Sequence, residues 1–581
     1  SSWTKSSAGL PAGEQIGRIQ IALSPSQPST IYSLVYTESD TMKLYKSTND
    51  GANWFSTGSN FYSGQGWYDL VIGVNPMNVN EAYIGDAELR RSTNGGTSFS
   101  YVGGSYWSQS MHVDFHYMTF APSNSAYRYV GCDGGIYRST NNGSSWVNLN
   151  SLPTLQYYRI SSHPTNQNFL IGGAQDNGLY RTTNGGSGTW GLVSTGDGME
   201  SFFDHTNPNI VYASTQNGGL VKSTSGGGYG SFISIKPSTG SERWAWTAPF
   251  FMHPTNNQII YTATTRPYKS TNGGSTWSAL TTGAITSSAL NTMAQSPVNP
   301  NNMILAGSEY STNPPVYVSS DGGTNWTNVT ANIGGSARYI SRVVFHPLQG
   351  STIFVVRSGF GAGNKIYRST NLGATWQNIS GDLPNVPHND LFIDPLIPNH
   401  IYTANDLGVY RTSNDGVTWI RQGNNFPYVP THDFDYFSYG GVRFLRAATH
   451  GRSAYQAILP ASAYTGPTIT SINPVSGSAG STITINGSGF DPVMSNNIVY
   501  FGGIKATVIS ASSNSLGVSV PAGASYAPIS VTTGNITTYS SEYFKLTFET
   551  GSGIIDTASF EGKTDFPTQN LPVGVTIADI D

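Results

Sequence analysis

The chain has 581 residues, with Gly 67 and Pro 31, aromatics at 12%, charged residues at only 10% and a net charge of -4. Against roughly 25% charged residues in an average soluble domain, this composition excludes a coiled coil and a charged disordered tail. The 28 Lys and Arg are scattered singly, which leaves no basic stripe for phosphate neutralisation, and nucleic acid is not an expected partner. No stretch of about 18 apolar residues is available for a helical membrane span, so membrane insertion is not expected. The opening SSWTKSSAGL lacks the charged and apolar regions of a signal peptide, so an exported chain is expected to have lost its signal already. One cysteine, Cys132, cannot form an internal disulfide, and redox chemistry does not identify a compartment.

A motif recurs from the N-terminal side onward: Ser or Thr, Asn or Asp two residues later, then Gly, then usually an aromatic residue. It reads STNDGANW from Ser47, STNGGTSF from Ser92, STNNGSSW from Ser139, TTNGGSGTW from Thr182 and STSGGGY from Ser223. It continues as STNGGSTW from Ser270, SSDGGTNW from Ser319, STNLGATW from Ser369 and TSNDGVTW from Thr412. The intervals of 41 to 50 residues match one four-stranded propeller blade, and the segments between alternate as strands do. In the motif, Asn or Asp folds onto nearby backbone N–H groups, Gly takes a positive φ and Trp is buried between blades, so these residues serve folding rather than catalysis.

Apolar strands ending near Pro follow the motifs, as in GRIQIALSP, YRISSHP and RVVFHP, and ten such innermost strands are present. The tenth, THDFDYF from Thr431, runs into VRFLRAATHGRSAYQAIL with no motif after it, so its blade lacks one strand. The expectation is an all-β fold whose first domain, residues 1–460, is a single ten-bladed propeller closed by the N-terminal strand, with Ser2 to Ser6 supplying the missing outer strand and removing a sheet edge. A larger double propeller, in which those opening residues belong to a preceding blade, stays open. Residues 461–466 read as a Pro/Ala/Ser linker. Residues 467–547, beginning PTITSINPVSGSAGSTITINGSGFDP, alternate short strands and turns in the manner of a β-sandwich.

The repeated motif resembles the Asp-box (BNR) repeat of sialidases, sortilin-type receptors, family 74 glycoside hydrolases and many secreted bacterial proteins. Residues 467–547, with Pro474, Gly477, Gly480, Gly487 and Gly489 at its turn positions, resemble an IPT/TIG immunoglobulin-like domain. Residues 548–581, ending DTASFEGKTDFPTQNLPVGVTIADID, resemble the opening of an FG-GAP/VCBS calcium-binding repeat whose loop starts at Asp579 and Asp581. That resemblance implies Ca in a continuation after Asp581, and hence a chain that is a fragment of a longer protein.

Candidate chemistry sits on the loops and inner strands of the third to fifth blades. MHVDFHYMTF places His112, Asp114 and His116 at alternate positions, hence on one face of a strand, a set that would hold a divalent metal at the propeller channel with help from neighbouring blades. Asp133 in GCDGG, Gln175, Asp176 and Asn177 in AQDNG, and Asp197 and Glu200 in GDGME map to the same loop face as ligand-binding candidates. The plain alternative is that Asp133, Asp176 and Asn177 are hairpin-turn residues and that the channel His and Asp bond to one another and to water. His432, Asp433 and Asp435 repeat the style in the tenth blade and read as structural.

Two functions stay open. One is a secreted or cell-surface recognition or adhesion protein that binds extracellular glycan or protein through the loop face, with no catalytic residue assigned and no cofactor required. The resemblances place such a chain in a bacterial exported set, type IX secretion among the routes. The other is a glycoside hydrolase, xyloglucanase-like or sialidase-like, for which Asp114 with Asp197 or Glu200 is the first carboxylate pair to examine. Against a sialidase, Arg18 in GRIQ is the nearest match to that family's Arg-Ile-Pro motif and lacks the Pro.

Overall fold

The computed structural model describes residues 7–547, apart from 12–15, 105–110, 150–152, 188–189, 308–312, 336–338, 424–425, 461–465 and 535. The described residues fall into two compact units, one up to residue 153 and one from residue 154 onward. Among the described residues there is no α-helix, and no helix is long and apolar enough to cross a membrane. Among the described residues up to 459 the strands form ten successive sheets, nine of four strands and a last one of three, each strand within a sheet hydrogen-bonded to the next in sequence. These are propeller-like blades. We number them 1 to 10 in chain order.

The repeated motif builds the turn between the third and fourth strands. At the first copy the Ser47 hydroxyl donates to Asn49 Oδ1 at 2.9 Å, Gly51 N–H donates to Ser47 Oγ at 3.0 Å, and Asn53 N–H donates to Asn49 Oδ1 at 3.0 Å. The same three bonds recur at Ser92, Ser139, Ser270, Ser319, Ser369 and Thr412. A hydroxyl and an amide thus satisfy backbone donors that a tight turn would otherwise leave unpaired. Trp54 and Trp419 are buried, and Trp326 and Trp376 cover the blade cores while donating to the carbonyls of Gly323 and Gly373.

In the first unit, blades 1, 2 and 3 pack in series through the inner strands Ile16–Ser24, Val71–Asn75 and Phe115–Ala121. All five residues of Val71–Asn75 are buried, because a blade with neighbours on both sides covers both faces of its strand. Tyr32, Leu34, Met42 and Leu44 meet Leu70, Ile72 and Val74 on one side, and Val71, Tyr83 and Leu89 meet Phe115, Met118 and Phe120 on the other. Each such side chain contributes roughly 1.5–3 kcal/mol relative to exposure.

In the second unit, blades 4 to 10 close on themselves. The inner strand of blade 10, Thr431–Tyr439, packs on that of blade 4, Tyr157–His163. Ile160 N–H donates to Asp433 Oδ2 at 3.0 Å, Arg159 donates to the His432 carbonyl, and Gln156 bridges to His450. Deeper along the same seam, Asp435 and Arg446 both bond Ser162, and Arg446 also reaches the Gln167 carbonyl. The ring therefore closes at seven blades, which corrects the expected single ring of ten. Counting repeats orders the sheets along the chain, but the partner of the last blade is chosen by these side chains. Blade 10 has three strands among the described residues, and Ser2 to Ser6, expected to complete it, lie outside them.

The second unit also contains a β-sandwich whose strands run in the order Thr468–Asn473, Thr482–Ser488, Ser515–Ser519, Ile504–Ala511, Asn497–Phe501, Ala527–Thr533, Ile536–Leu546 and Ser476–Gly477. Alternate residues such as Ile483 and Ile485, Leu516 and Val518, and Ile529 and Val531 fill its core together with Phe501 and Phe544. Gly487 lies so near the neighbouring strand that a Cβ there would sit 1.7 Å from the Thr468 carbonyl oxygen, so only glycine fits. The expected 461–466 linker falls almost wholly outside the described residues, and the FG-GAP-like segment 548–581 entirely so.

Candidate functional site

The site residues anticipated from the sequence divide between the units. His112, Asp114, His116 and Asp133 belong to the first, and Gln175, Asp176, Asn177, Asp197 and Glu200 to the second.

In the first unit the inner strand starts only at Phe115, so His112 and Asp114 precede it. Asp114 takes a φ of 67°, which breaks the alternation on which the His-Asp-His row was argued. The expected one-face array is corrected accordingly. His112 Nδ1 lies 3.0 Å from the Val113 carbonyl, whereas His116 Nε2 lies 2.7 Å from Asp133 Oδ1. Tyr68 donates its hydroxyl to Asp133 Oδ2 at 2.9 Å and sets its ring edge-on to His116, with centroids 4.9 Å apart. The Gln65 amide nitrogen bridges two carboxyls, donating to Asp69 Oδ2 at 2.9 Å and to Asp114 Oδ1.

Gln65, Trp67, Tyr68 and Asp69 are thus site residues that sequence reasoning missed. They lie on the loop from the outer strand of blade 1 to the inner strand of blade 2, the class of loop expected to carry ligands. Their signal in the sequence is the aromatic-rich run GQGWYDL. The loop is built tightly: Tyr68 N–H and Asp69 N–H both donate to the Gln65 carbonyl. A Cβ on Gly66 would lie 2.5 Å from the Tyr36 ring. Arg18 donates to the Tyr68 carbonyl, so this arginine holds the loop.

Burial pushes Asp69 up to about 7, against the lowering effect of Gln65, with the charge of Asp114 adding to the rise. Its side chain is fully buried, and its Oδ1 has no hydrogen-bond partner. Burial likewise raises Asp114, helped by the charge of Asp133. The hydrogen bond to Asp133 raises His116. Burial works against the charged form of Asp133, but the bonds from His116 and Tyr68 outweigh it and hold this carboxyl below the ordinary value. The result is an ionised Asp133 paired with His116 beside two acids that hold their protons unusually well.

In the second unit Glu200 lies in an ion cluster whose aspartates, Asp390 and Asp433, are buried and whose Arg159, Arg342 and Glu200 are partly so. Arg159 Nε reaches Glu200 Oε1 at 2.9 Å, and Arg342 reaches Asp390 at 3.0 Å, Glu200 at 3.4 Å and Asp433 at 3.6 Å. Asp390 also takes the N–H of Phe434 at 2.8 Å. These residues come from the inner strands of blades 4, 5, 8, 9 and 10, so two guanidiniums and three carboxylates tie five blades together. Burial disfavours the charge on both arginines, but the surrounding carboxylates outweigh it and raise them. The signal in the sequence was an Arg just ahead of the apolar run in YRISSHP and SRVVFHP.

The other second-unit candidates form local contacts. Asp176 has a φ of 58° in the turn before Gly178–Thr182, and its N–H donates to Asp197 Oδ1 at 2.7 Å. Asn177 Nδ2 donates to the Gln175 carbonyl at 2.9 Å. Gln175 Oε1 accepts from the Tyr158 hydroxyl at 2.9 Å, which in turn accepts from the Trp246 indole at 3.3 Å. His432 and His450 stack with centroids 4.7 Å apart next to the Tyr158 ring. Burial, then His450 and Arg159, lowers His432 to about 3, so this imidazole is neutral at physiological pH.

The chain is thus an all-β protein of propeller-like blades joined to an immunoglobulin-like sandwich. Residues 467–548 match the IPT/TIG domain family. No curated protein matches the chain. Among solved structures it is similar to PorZ, an essential surface component of the type-IX secretion system of Porphyromonas gingivalis, at 13% identity over 92% of this chain and 82% of that one, with a TM-score of 0.42. It is also similar to the GH74 enzyme of Niastella koreensis, at 15% identity over 76% and 83% of the two chains, with a TM-score of 0.31. A third likeness is to YCF48 from Cyanidioschyzon merolae, at 16% identity over 53% and 96%, with a TM-score of 0.40.

Proposed function

We propose that this is an exported or cell-surface Asp-box protein that recognises an extracellular glycan or protein ligand without transforming it, and that its loop face is the recognition surface. The observation that carries this reading is the pair of exposed rings, Trp67 and Tyr68, presented by a stapled loop beside the His116–Asp133 pair. Large aromatic side chains with polar tips are the usual anchors of recognition surfaces. The carboxylates nominated for hydrolysis are occupied: Glu200 by two guanidiniums, Asp197 by the Asp176 amide and Asp114 by Gln65.

The glycoside hydrolase reading draws on one observation, the carboxyl of Asp69 pushed up to about 7, the range of a general acid. That side chain is fully buried, out of reach of a glycosidic oxygen. Retention on immobilised polysaccharides and on extracellular matrix proteins, measured beside the release of reducing ends, tests the choice. Retention without release is expected. Release that is abolished in Asp114→Asn would establish the enzyme instead.

A further inference from the structure

We propose that Trp67, Tyr68 and His116 form a subsite for one uncharged pyranose unit of a polysaccharide, which rests on the recognition reading above and names its ligand class. Trp67 is 67% exposed and Tyr68 39%, although buried Gly66 precedes them and buried Asp69 and Leu70 follow. Their rings stand 5.8 Å apart at 50°, so they form two walls of an angled aromatic corner rather than a flat stack. A sugar ring presents C–H groups on its faces and hydroxyls at its rim. It is bound where an aromatic face covers the first and fixed polar groups meet the second.

Both elements are present here, and both are fixed before any ligand arrives. The Tyr68 hydroxyl and the His116 imidazole are each positioned by Asp133, at 2.9 and 2.7 Å. The loop that carries the rings is pinned at Gln65 by Asp69 and Asp114, at Gly66 by close packing on Tyr36, and at Tyr68 by Arg18. A preorganised corner loses little entropy on binding.

Charge selects the class of sugar. The basic groups tied into this cluster are engaged, His116 with Asp133 and Arg18 with a backbone carbonyl, while three carboxyls, Asp69, Asp114 and Asp133, lie around them. Uronates and sialic acids would bring a negative charge that these engaged basic groups are not placed to pair, whereas a neutral hexose or pentose brings none.

Calorimetry and affinity electrophoresis of the full chain test the assignment. Cellohexaose, laminarihexaose and a xyloglucan oligosaccharide serve as neutral probes, and polygalacturonate and sialyllactose as acidic ones. Binding to at least one neutral probe is expected, with a tenfold or greater loss in Trp67→Ala and a partial loss in Tyr68→Phe, which keeps the ring but removes its hydrogen bond to Asp133. Trp67→Tyr retains an aromatic wall and should restore most of the affinity, and unchanged melting curves separate lost contact from lost fold. Tyr229→Ala, at an exposed ring of the second unit, should bind as the parent does. Neutral-glycan binding unaffected by Trp67→Ala and Tyr68→Phe overturns the subsite and leaves the recognition reading standing, as does binding confined to the acidic probes. Retention on neither glycans nor proteins overturns both.

Discussion

The two polar clusters, one in each unit, are built on the same kind of inner strand, yet they are put to different ends. In the second unit, Arg159 and Arg342 meet Glu200, Asp390 and Asp433, and a guanidinium with a fan of donors binds several carboxylates at once. Those acids are consumed in holding blades 4 to 10 in a ring. In the first unit the acids Asp69, Asp114 and Asp133 meet an amide, an imidazole and a phenol instead. The Gln65 amide does not offset the burial that raises Asp69 and Asp114, whereas the imidazole and the phenol hold Asp133 low. The kind of donor opposite an acid, more than the acid itself, separates a structural clamp from a surface that can meet a ligand.

The sharpest way to break that comparison is Arg159→Met. Removing one guanidinium leaves Arg342 alone to balance Glu200, Asp390 and Asp433, and a loss of about 3 kcal/mol is expected from the under-compensated charge of buried Asp433. Denaturant unfolding would show it, together with a melting transition several degrees lower. A parent-like transition would mean that the cluster does not hold the ring.

The first-unit acids should behave in the opposite sense. The folded value of Asp69, about 7, lies above its ordinary value of 3.8, so its favourable contribution is complete below about pH 4 and disappears as pH rises through 7. Asp69→Asn should therefore be more stable than the parent at pH 8, by on the order of 2 kcal/mol, and gain nothing at pH 4. Thermal melts at the two pH values measure the difference, and equal effects at both would refute a buried, proton-retaining acid.

The repeated turns offer a calibration common to both units. Ser319→Ala removes the acceptor of Gly323 N–H and the donor to Asp321, at a cost of roughly 1 kcal/mol. Ser92→Ala, its counterpart in the first unit, should cost about the same. Unequal costs would show that the turns are not energetically equivalent.

The smallest effect belongs to the His116–Asp133 pair. His116 is raised, so its contribution is present below about 6.5 and lost as pH climbs through its folded value, while that of Asp133, which is lowered, is lost as pH falls from 3.8 through its folded value. His116→Gln should cost less than about 1 kcal/mol, because the imidazole is a third exposed and screened by solvent. The loss should be greatest between those limits and absent near pH 9, by melts in low-salt buffer.

The sheets and their turns were legible in the sequence, because a turn that needs Ser, Asn and Gly at set spacings leaves those residues in the chain every time it is used, and alternate burial leaves a period of two. The sandwich was legible for the same reason, down to Gly487, where no side chain fits. Closure of the ring was not. It depends on Arg159, Arg342, Asp390 and Asp433, which are hundreds of residues apart and carry no local pattern, so only their meeting at the hub shows that the last blade belongs beside the fourth. The first-unit site was half legible: its acids and histidine stood out, but Gln65, Trp67 and Tyr68 read as an ordinary glycine-rich loop until folding set them against Asp114, Asp133 and His116. Local geometry is written residue by residue, whereas the pairing of charges across blades is an energy summed over distant residues, and only the tertiary structure performs that sum.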